Sequence, residues 1–125
     1  MGYNLEVDHD RKFIRYTHPG TLNFADIGLA WQELLTIKEF THSHYNLFSD
    51  YRNAKFDMPL NAINDIISFF KDIKKILYGK RQAILVDSSI ATFALLLFEE
   101  KVFANIGFLV KTFTTEKAAV NWIKQ

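Results

Sequence analysis

The sequence predicts an α/β domain: a single layer of mainly parallel sheet with one antiparallel edge strand and helices packed on it. Three observations carry that prediction. The apolar run Gln82-Ala83-Ile84-Leu85-Val86 ends in Asp87-Ser88-Ser89 and gives way to a helical stretch. The run Ile106-Gly107-Phe108-Leu109-Val110 leads to Thr114-Thr115 and does the same. Strand, short polar turn and helix, repeated, mark βα units on a parallel sheet. Near the N-terminus, residues 3–8 and 12–17 both alternate between apolar and polar positions across the polar turn His9-Asp10-Arg11. Two runs of period two joined by a tight turn make an antiparallel hairpin.

The remaining elements follow in order. His18-Pro19-Gly20 ends the second strand, because proline lacks the amide that a ladder needs. Asn23 is placed to cap a first helix, with Asp26 in its first turn. Phe24, Ile27, Trp31, Leu34 and Leu35 recur at spacings of three and four and define its buried face. A polar loop through His42 and His44 leads to a third strand over residues 45–50. Residues 52–57 read as a loop, and Pro59 suits the first turn of a helix that runs to Leu77 and stops at Gly79. The fourth strand spans residues 82–86, a third helix 88–103 and a fifth strand 107–113. A last helix follows from Thr115 to Ile123, with Thr114 as its cap, Glu116 in its first turn and Trp122 expected in the core. The order is β-β-α-β-α-β-α-β-α, with no repeat, linker or low-complexity stretch, so the expectation is one domain over residues 1–125.

Composition narrows the function classes. The chain has 125 residues, 49% of them apolar and 23% charged, as ordinary globular proteins do. Fifteen basic against 14 acidic residues leave a formal charge of +1, which gives no electrostatic case for nucleic acid or an anionic membrane. There is no cysteine, so disulfides, thiolate metal sites and cysteine nucleophiles are excluded. No signal peptide is legible at the N-terminus, and the apolar run at residues 93–98 is far too short to span a bilayer. A cytoplasmic location without membrane insertion is the expectation. Twelve phenylalanines point to a core built with large rings.

Three segments resemble a known family. They are Ser49-Asp50-Tyr51-Arg52-Asn53-Ala54 at the end of the third strand, Val86-Asp87-Ser88-Ser89 at the end of the fourth, and Val110-Lys111-Thr112-Phe113-Thr114-Thr115-Glu116-Lys117-Ala118 followed by Trp122-Ile123. Together they resemble the bacterial STAS/SEC14-like domains, relatives of the anti-sigma-factor antagonists. The resemblance covers almost the whole chain and implies a compact fold with helices packed on a mainly parallel sheet, whose antagonist branch works by protein–protein contact. In the antagonists a serine in an Asp-Ser-Ser-Gly motif is phosphorylated. Asp87-Ser88-Ser89 is similar, but Ile90 stands where that motif has glycine, and the motif follows the fourth strand instead of the third. The topological counterpart, Asp50-Tyr51-Arg52, has no serine after the aspartate. The phosphosite role is therefore not carried over to Ser88.

In an open parallel sheet, ligands gather at the carboxyl ends of the strands, where helix N-termini present free N–H groups. That edge collects His18, Asp50, Tyr51, Arg52, Asp87, Ser88, Ser89 and Thr114, with Thr17 and Thr115 beside them. The set suits a small polar or phosphorylated ligand, or a protein partner. The same residues also have a structural use: Asp and Ser before a helix cap it, and Asp50 with Arg52 can brace a strand end. A hydrolase would use Ser88 or Ser89 with His18 and Asp50 or Asp87. A nucleophile elbow, however, needs small neighbours around the serine, and Val86 and Ile90 are both β-branched. His42 and His44 have a spacing that two metal ligands could use on a strand, but no third ligand is adjacent, so a solvated loop is the expectation and no metal or cofactor is assigned. Lys71, Lys74, Lys75, Lys80 and Arg81 form the one basic cluster, at a helix C-terminus where cations offset the dipole.

The third helix carries more apolar surface than one buried face needs. Ile90, Phe93, Ala94 and Leu97 complete that face, and Leu95, Leu96, Phe98, Val102 and Phe103 are surplus. The surplus could face a second copy of the chain, line an apolar pocket, or lie under neighbouring elements. The reading is a non-catalytic intracellular binding or regulatory module with an unidentified protein partner and a homodimer through the third helix. The alternatives are a carrier of an apolar small molecule or lipid and, less well supported, a small hydrolase.

Overall fold

A computed structural model of the chain describes residues 2–56, 61–87 and 92–125, and within the helix that begins at Thr92 the side chains from Phe98 onward. Its elements are β1 (Asn4–Asp8), β2 (Phe13–Thr17), β3 (Gly20–Leu22), α1 (Phe24–Leu34), α2 (Lys38–Thr41), β4 (Asn46–Asp50), β5 (Ala54–Phe56), α3 (Ala62–Asp72), α4 (Lys74–Leu77), β6 (Arg81–Leu85), α5 (Thr92–Ile106), β7 (Leu109–Phe113) and α6 (Glu116–Ile123). Five strands form one sheet in the order β1-β2-β4-β6-β7. The β1–β2 pair is antiparallel and the other pairs are parallel. This is the expected architecture: a four-stranded parallel set with one antiparallel edge.

Local chemistry accounts for the element ends. Asp8 closes the first turn by accepting from the backbone N–H of Arg11 at 2.9 Å, and Lys12 takes a positive φ of 58° to re-enter the ladder. Asn23 caps α1, its Oδ1 accepting from the N–H of Asp26 at 2.9 Å. Gly79 follows α4 with φ +80°, a backbone shape that costs glycine little.

The pleat sends alternate residues to opposite faces. Ile14, Tyr16, Leu47, Ile84 and Val110 join the core that contains Trp31 of α1, Phe70 of α3 and Val102 of α5. Phe13, Phe48, Ala83 and Leu85 point the other way and are covered by Ala119 and Ile123 of α6. The first core is dense with rings. Trp31 and Phe70 stand 4.9 Å apart, Phe70 and Phe108 5.6 Å, and Phe70 and Phe98 6.2 Å between centroids.

Several expectations are corrected. Ala54–Phe56, expected as loop, pairs in parallel with Gly20–Leu22 as a separate two-stranded sheet. The long second helix breaks at Ile73, whose φ and ψ of −117° and 25° leave the helical region. Thr115, not Thr114, caps α6, its hydroxyl accepting from the N–H of Ala118 at 3.3 Å. Phe24 is 42% exposed, because the buried side of α1 is centred on Ala30, Trp31 and Leu34. Trp122 is half-buried, lying beside Phe113 under the guanidinium of Arg81. No helix among the described residues is long and apolar enough to cross a membrane.

Candidate functional site

The parallel register aligns Thr17 with Asp50, Asp50 with Leu85 and Leu85 with Phe113. The carboxyl ends of these strands therefore form one edge. Asp50 and Arg52 lie there with Asp87 and Thr114, as the strand-end rule anticipates.

At this edge the side chains assemble into a charge network. Asp50 ends β4 on the face that α6 covers. Its carboxylate accepts from Arg52 twice, from Nε at 3.0 Å and Nη2 at 2.7 Å, and from the Arg52 backbone N–H at 3.2 Å. Arg15 of β2 reaches the same carboxylate from the neighbouring strand, Nη2 to Oδ2 at 3.0 Å. Both guanidiniums also donate to Oε1 of Glu116 in the first turn of α6, Arg15 at 2.9 Å and Arg52 at 3.2 Å. The Arg15 guanidinium also lies over the Phe48 ring, 4.8 Å from its centroid, which helps to fix it between the two acids.

The network is graded in exposure. The Asp50 side chain is 9% exposed, whereas those of Arg52 and Glu116 are 44% and 40% exposed. Burial pushes the Asp50 carboxyl up, but hydrogen bonds from Arg52 and the two guanidinium charges outweigh it and hold it below the usual carboxylate range. The hydrogen bond from Arg15 likewise holds Glu116 low against some burial. The inner pair is thus an anchor and the outer pair is addressable from solution.

The other residues expected at the edge differ in burial. His18 is 2% exposed. Its Nε2 stands 3.1 Å from the carbonyl oxygen of Thr21 and its Nδ1 2.9 Å from the Tyr16 hydroxyl. A carbonyl only accepts, so Nε2 carries a proton and donates to Thr21. Both nitrogens of His18 are engaged inside the core. Tyr51 is also buried, its ring meeting Tyr16 edge-on at 5.5 Å. Burial pushes its phenol up, against hydrogen bonds with Ser49 and Tyr16. Asp87 and Thr114 are exposed at the edge. Ser88 and Ser89 lie outside the described residues. His42 and His44 are exposed in the loop after α2, and His42 Nδ1 is 2.7 Å from the Thr41 hydroxyl.

The surplus apolar residues of α5 divide. Val102 is fully buried under the sheet's helical layer, which removes it from the interface expected there. Phe98 is half-buried against Phe70. Phe103 is 59% exposed. The side chains of Leu95 and Leu96 lie outside the described residues.

Sequence reasoning missed Arg15 and placed Glu116 only in the first turn of the last helix. The signal for Arg15 was available: it alternates with Ile14 and Tyr16, so it shares a face with Phe13 and points toward whatever covers that face.

The fold is an α/β fold of the SpoIIAA-like kind. The solved structure of an uncharacterized protein from the DUF3478 family with a SpoIIAA-like fold, from Shewanella loihica PV-4, aligns with 97% of this chain and 91% of its own. Its TM-score is 0.60 at 15% sequence identity, a likeness of fold. Neither a family model nor a curated protein matches this sequence.

Proposed function

We propose that this chain is a non-catalytic binding module that acts through protein–protein contact at the carboxyl edge of its sheet. The observation that carries the reading is the closed Arg15–Asp50–Arg52–Glu116 network. Its charges are turned toward one another, with an anchored inner pair and an exposed outer pair. A partner carboxylate can replace Glu116 on Arg52, and a partner cation can take Glu116 in return. Such exchanges set specificity and association rate in protein interfaces. A general base, by contrast, needs a proton site within reach of a substrate. His18, the histidine nearest this edge, has both nitrogens committed to Tyr16 and Thr21.

The test is a photo-crosslinking residue placed at Thr114 in the host cell. One discrete protein adduct is expected, and it should vanish when Arg52→Glu is added. The same adduct in both backgrounds, or adducts with small molecules alone, would overturn the reading.

A carrier of an apolar molecule has less support. Among the described residues, the rings of Trp31, Phe70 and Phe108 pack on one another at 4.9–6.4 Å between centroids. Native mass spectrometry that found a co-purified lipid would reverse that preference.

A further inference from the structure

The end of the molecule where β6 and β7 begin, opposite the charge network, has a different character. Tyr78 and Phe103 are the most exposed large hydrophobic residues among those described, at 73% and 59%. They flank one shallow depression floored by Gly107. The Tyr78 ring lies on the backbone of Gly107: a Cβ there would come within 2.6 Å of Tyr78 Cδ2. Gly107 also has φ +77°, so glycine serves both the turn and the seat of the ring. Tyr78 is thereby held outward instead of folding back onto the core.

A second depression continues from the first, sharing Lys74 and Tyr78 with it, and is walled by Ile73 and Ile76. Lys71, Lys74 and Lys75 stand on its rim, with Asp72 as its one lining carboxylate. All three lysines are exposed, and among the described residues no ion pair engages them. The basic cluster legible in the sequence has therefore divided. Lys80 is buried and Arg81 packs on Trp122, which leaves three lysines beside two protruding aromatics. A chain with a net charge of +1 carries a local excess of cations here. The helix dipole accounts for cations at the end of α4, but it gives no reason for Tyr78 and Phe103 to stand in water.

We propose that this end of the molecule docks on an anionic lipid bilayer, with Tyr78 and Phe103 entering the headgroup region and Lys71, Lys74 and Lys75 attracted to its charge. The components match an interfacial site. Tyrosine is amphipathic and settles at headgroup depth, phenylalanine adds apolar contact, and each lysine near the surface multiplies partitioning roughly fivefold. Lysine stems also cover the isoleucine walls while their ammonium groups stay wet. A second copy of this chain fits less well, because symmetric pairing would set three lysines against three lysines. A nucleic acid fits less well, because the depressions are walled by aliphatic side chains and carry no arginine fork. Docking in this orientation leaves Asp50, Arg52 and Glu116 on the far side, open to a partner.

The test is co-sedimentation of the whole chain with vesicles of phosphatidylcholine alone or with about 30 mol% phosphatidylglycerol, at about 0.1 M and about 0.5 M salt. Binding to anionic vesicles is expected to exceed binding to neutral ones by at least about tenfold and to fall at the higher salt. The variants Lys71→Glu/Lys74→Glu/Lys75→Glu and Tyr78→Ser/Phe103→Ser change exposed side chains and should each lose at least about tenfold in partitioning. Equal binding to both vesicle types, or no binding at low salt, would overturn the proposal without recourse to any variant. Tighter binding to a single-stranded oligonucleotide than to anionic vesicles would also overturn it. So would light scattering that shows a dimer dispersed by Tyr78→Ser/Phe103→Ser with no vesicle binding, which would give the surface to a second copy.

Discussion

Arg15 and Glu116 stand 101 positions apart in the chain and share a 2.9 Å hydrogen bond. The bond ties the second strand to the first turn of the last helix across the sheet. Asp50 lies beneath it and binds the same guanidinium at 3.0 Å. Removing the buried acid should therefore cost more than removing the exposed one.

Asp50→Ala is expected to lose about 2–3 kcal/mol of stability, because Arg15 would keep its partly buried charge with one exposed partner. Glu116→Gln should lose less than about 1 kcal/mol, as exposed ion pairs do. Urea unfolding of both variants checks the order. A reversed order would show that Glu116 holds Arg15 in place and Asp50 follows.

Acid should act through the same two residues. The folded-state pKa values of Asp50 and Glu116 both lie below those of the free groups. A lowered carboxyl pKa contributes stability that is present above the unfolded value, near pH 4, and is lost as pH falls through the folded value. Wild-type stability should drop below about pH 4, and the drop should be shallower in Asp50→Asn. Parallel curves for the two proteins would mean that other carboxyls govern acid unfolding.

Lys80 gives a slope of the same sign at alkaline pH, from burial instead of pairing. It is 4% exposed, its ammonium lies 4.7 Å from the centre of the Phe40 ring, and it donates to the Tyr45 carbonyl at 3.2 Å. Burial pushes its pKa down from 10.5 to about 8. The folded state then binds fewer protons than the unfolded state between those values, so stability should rise with pH across that window. Lys80→Met should abolish that rise and add about 1–2 kcal/mol at pH 7 by removing the buried charge. Calorimetry of the two proteins at pH 7 and pH 9.5 would measure it, and a variant less stable than wild type at pH 7 would refute it.

Trp122 is half-buried, with its ring 5.6 Å from Phe113 and the Arg81 guanidinium 5.1 Å away. Trp122→Ala should cost about 2–3 kcal/mol, less than the 3–5 kcal/mol typical of a fully buried large aromatic. Arg81 also donates to the Trp122 carbonyl at 2.9 Å, which the substitution leaves intact. A loss above about 4 kcal/mol would mean that α6 detaches with the ring.

Periodicity made most of this fold legible. Period two exposed β1 and β2, and the repeated run-turn-helix pattern exposed β6, α5, β7 and α6. The small β3–β5 sheet was not legible, because strands of three residues have no period to read. The break at Ile73 carries no proline or glycine, so nothing in the sequence announced it. Thr114 and Thr115 are adjacent and identical, and only geometry chooses between them as the cap. At the site, Asp50 and Arg52 were legible from the strand-end rule. Arg15 was hidden by a missing fact of topology: which helix covers its face. Lys80 was hidden by its neighbours, since a run of basic residues reads as solvated until one of them is found inside.

One face of the sheet depends on α6, an eight-residue helix made after all five strands of that sheet. Phe13, Phe48, Ala83 and Leu85 are all translated before it. A nascent chain can pair its strands while that apolar face still lies open to water. The period between the synthesis of β7 and that of α6 is then an interval of aggregation risk. Synonymous codons that slow translation after Phe113 should lengthen it, and chaperone capture should rise in step.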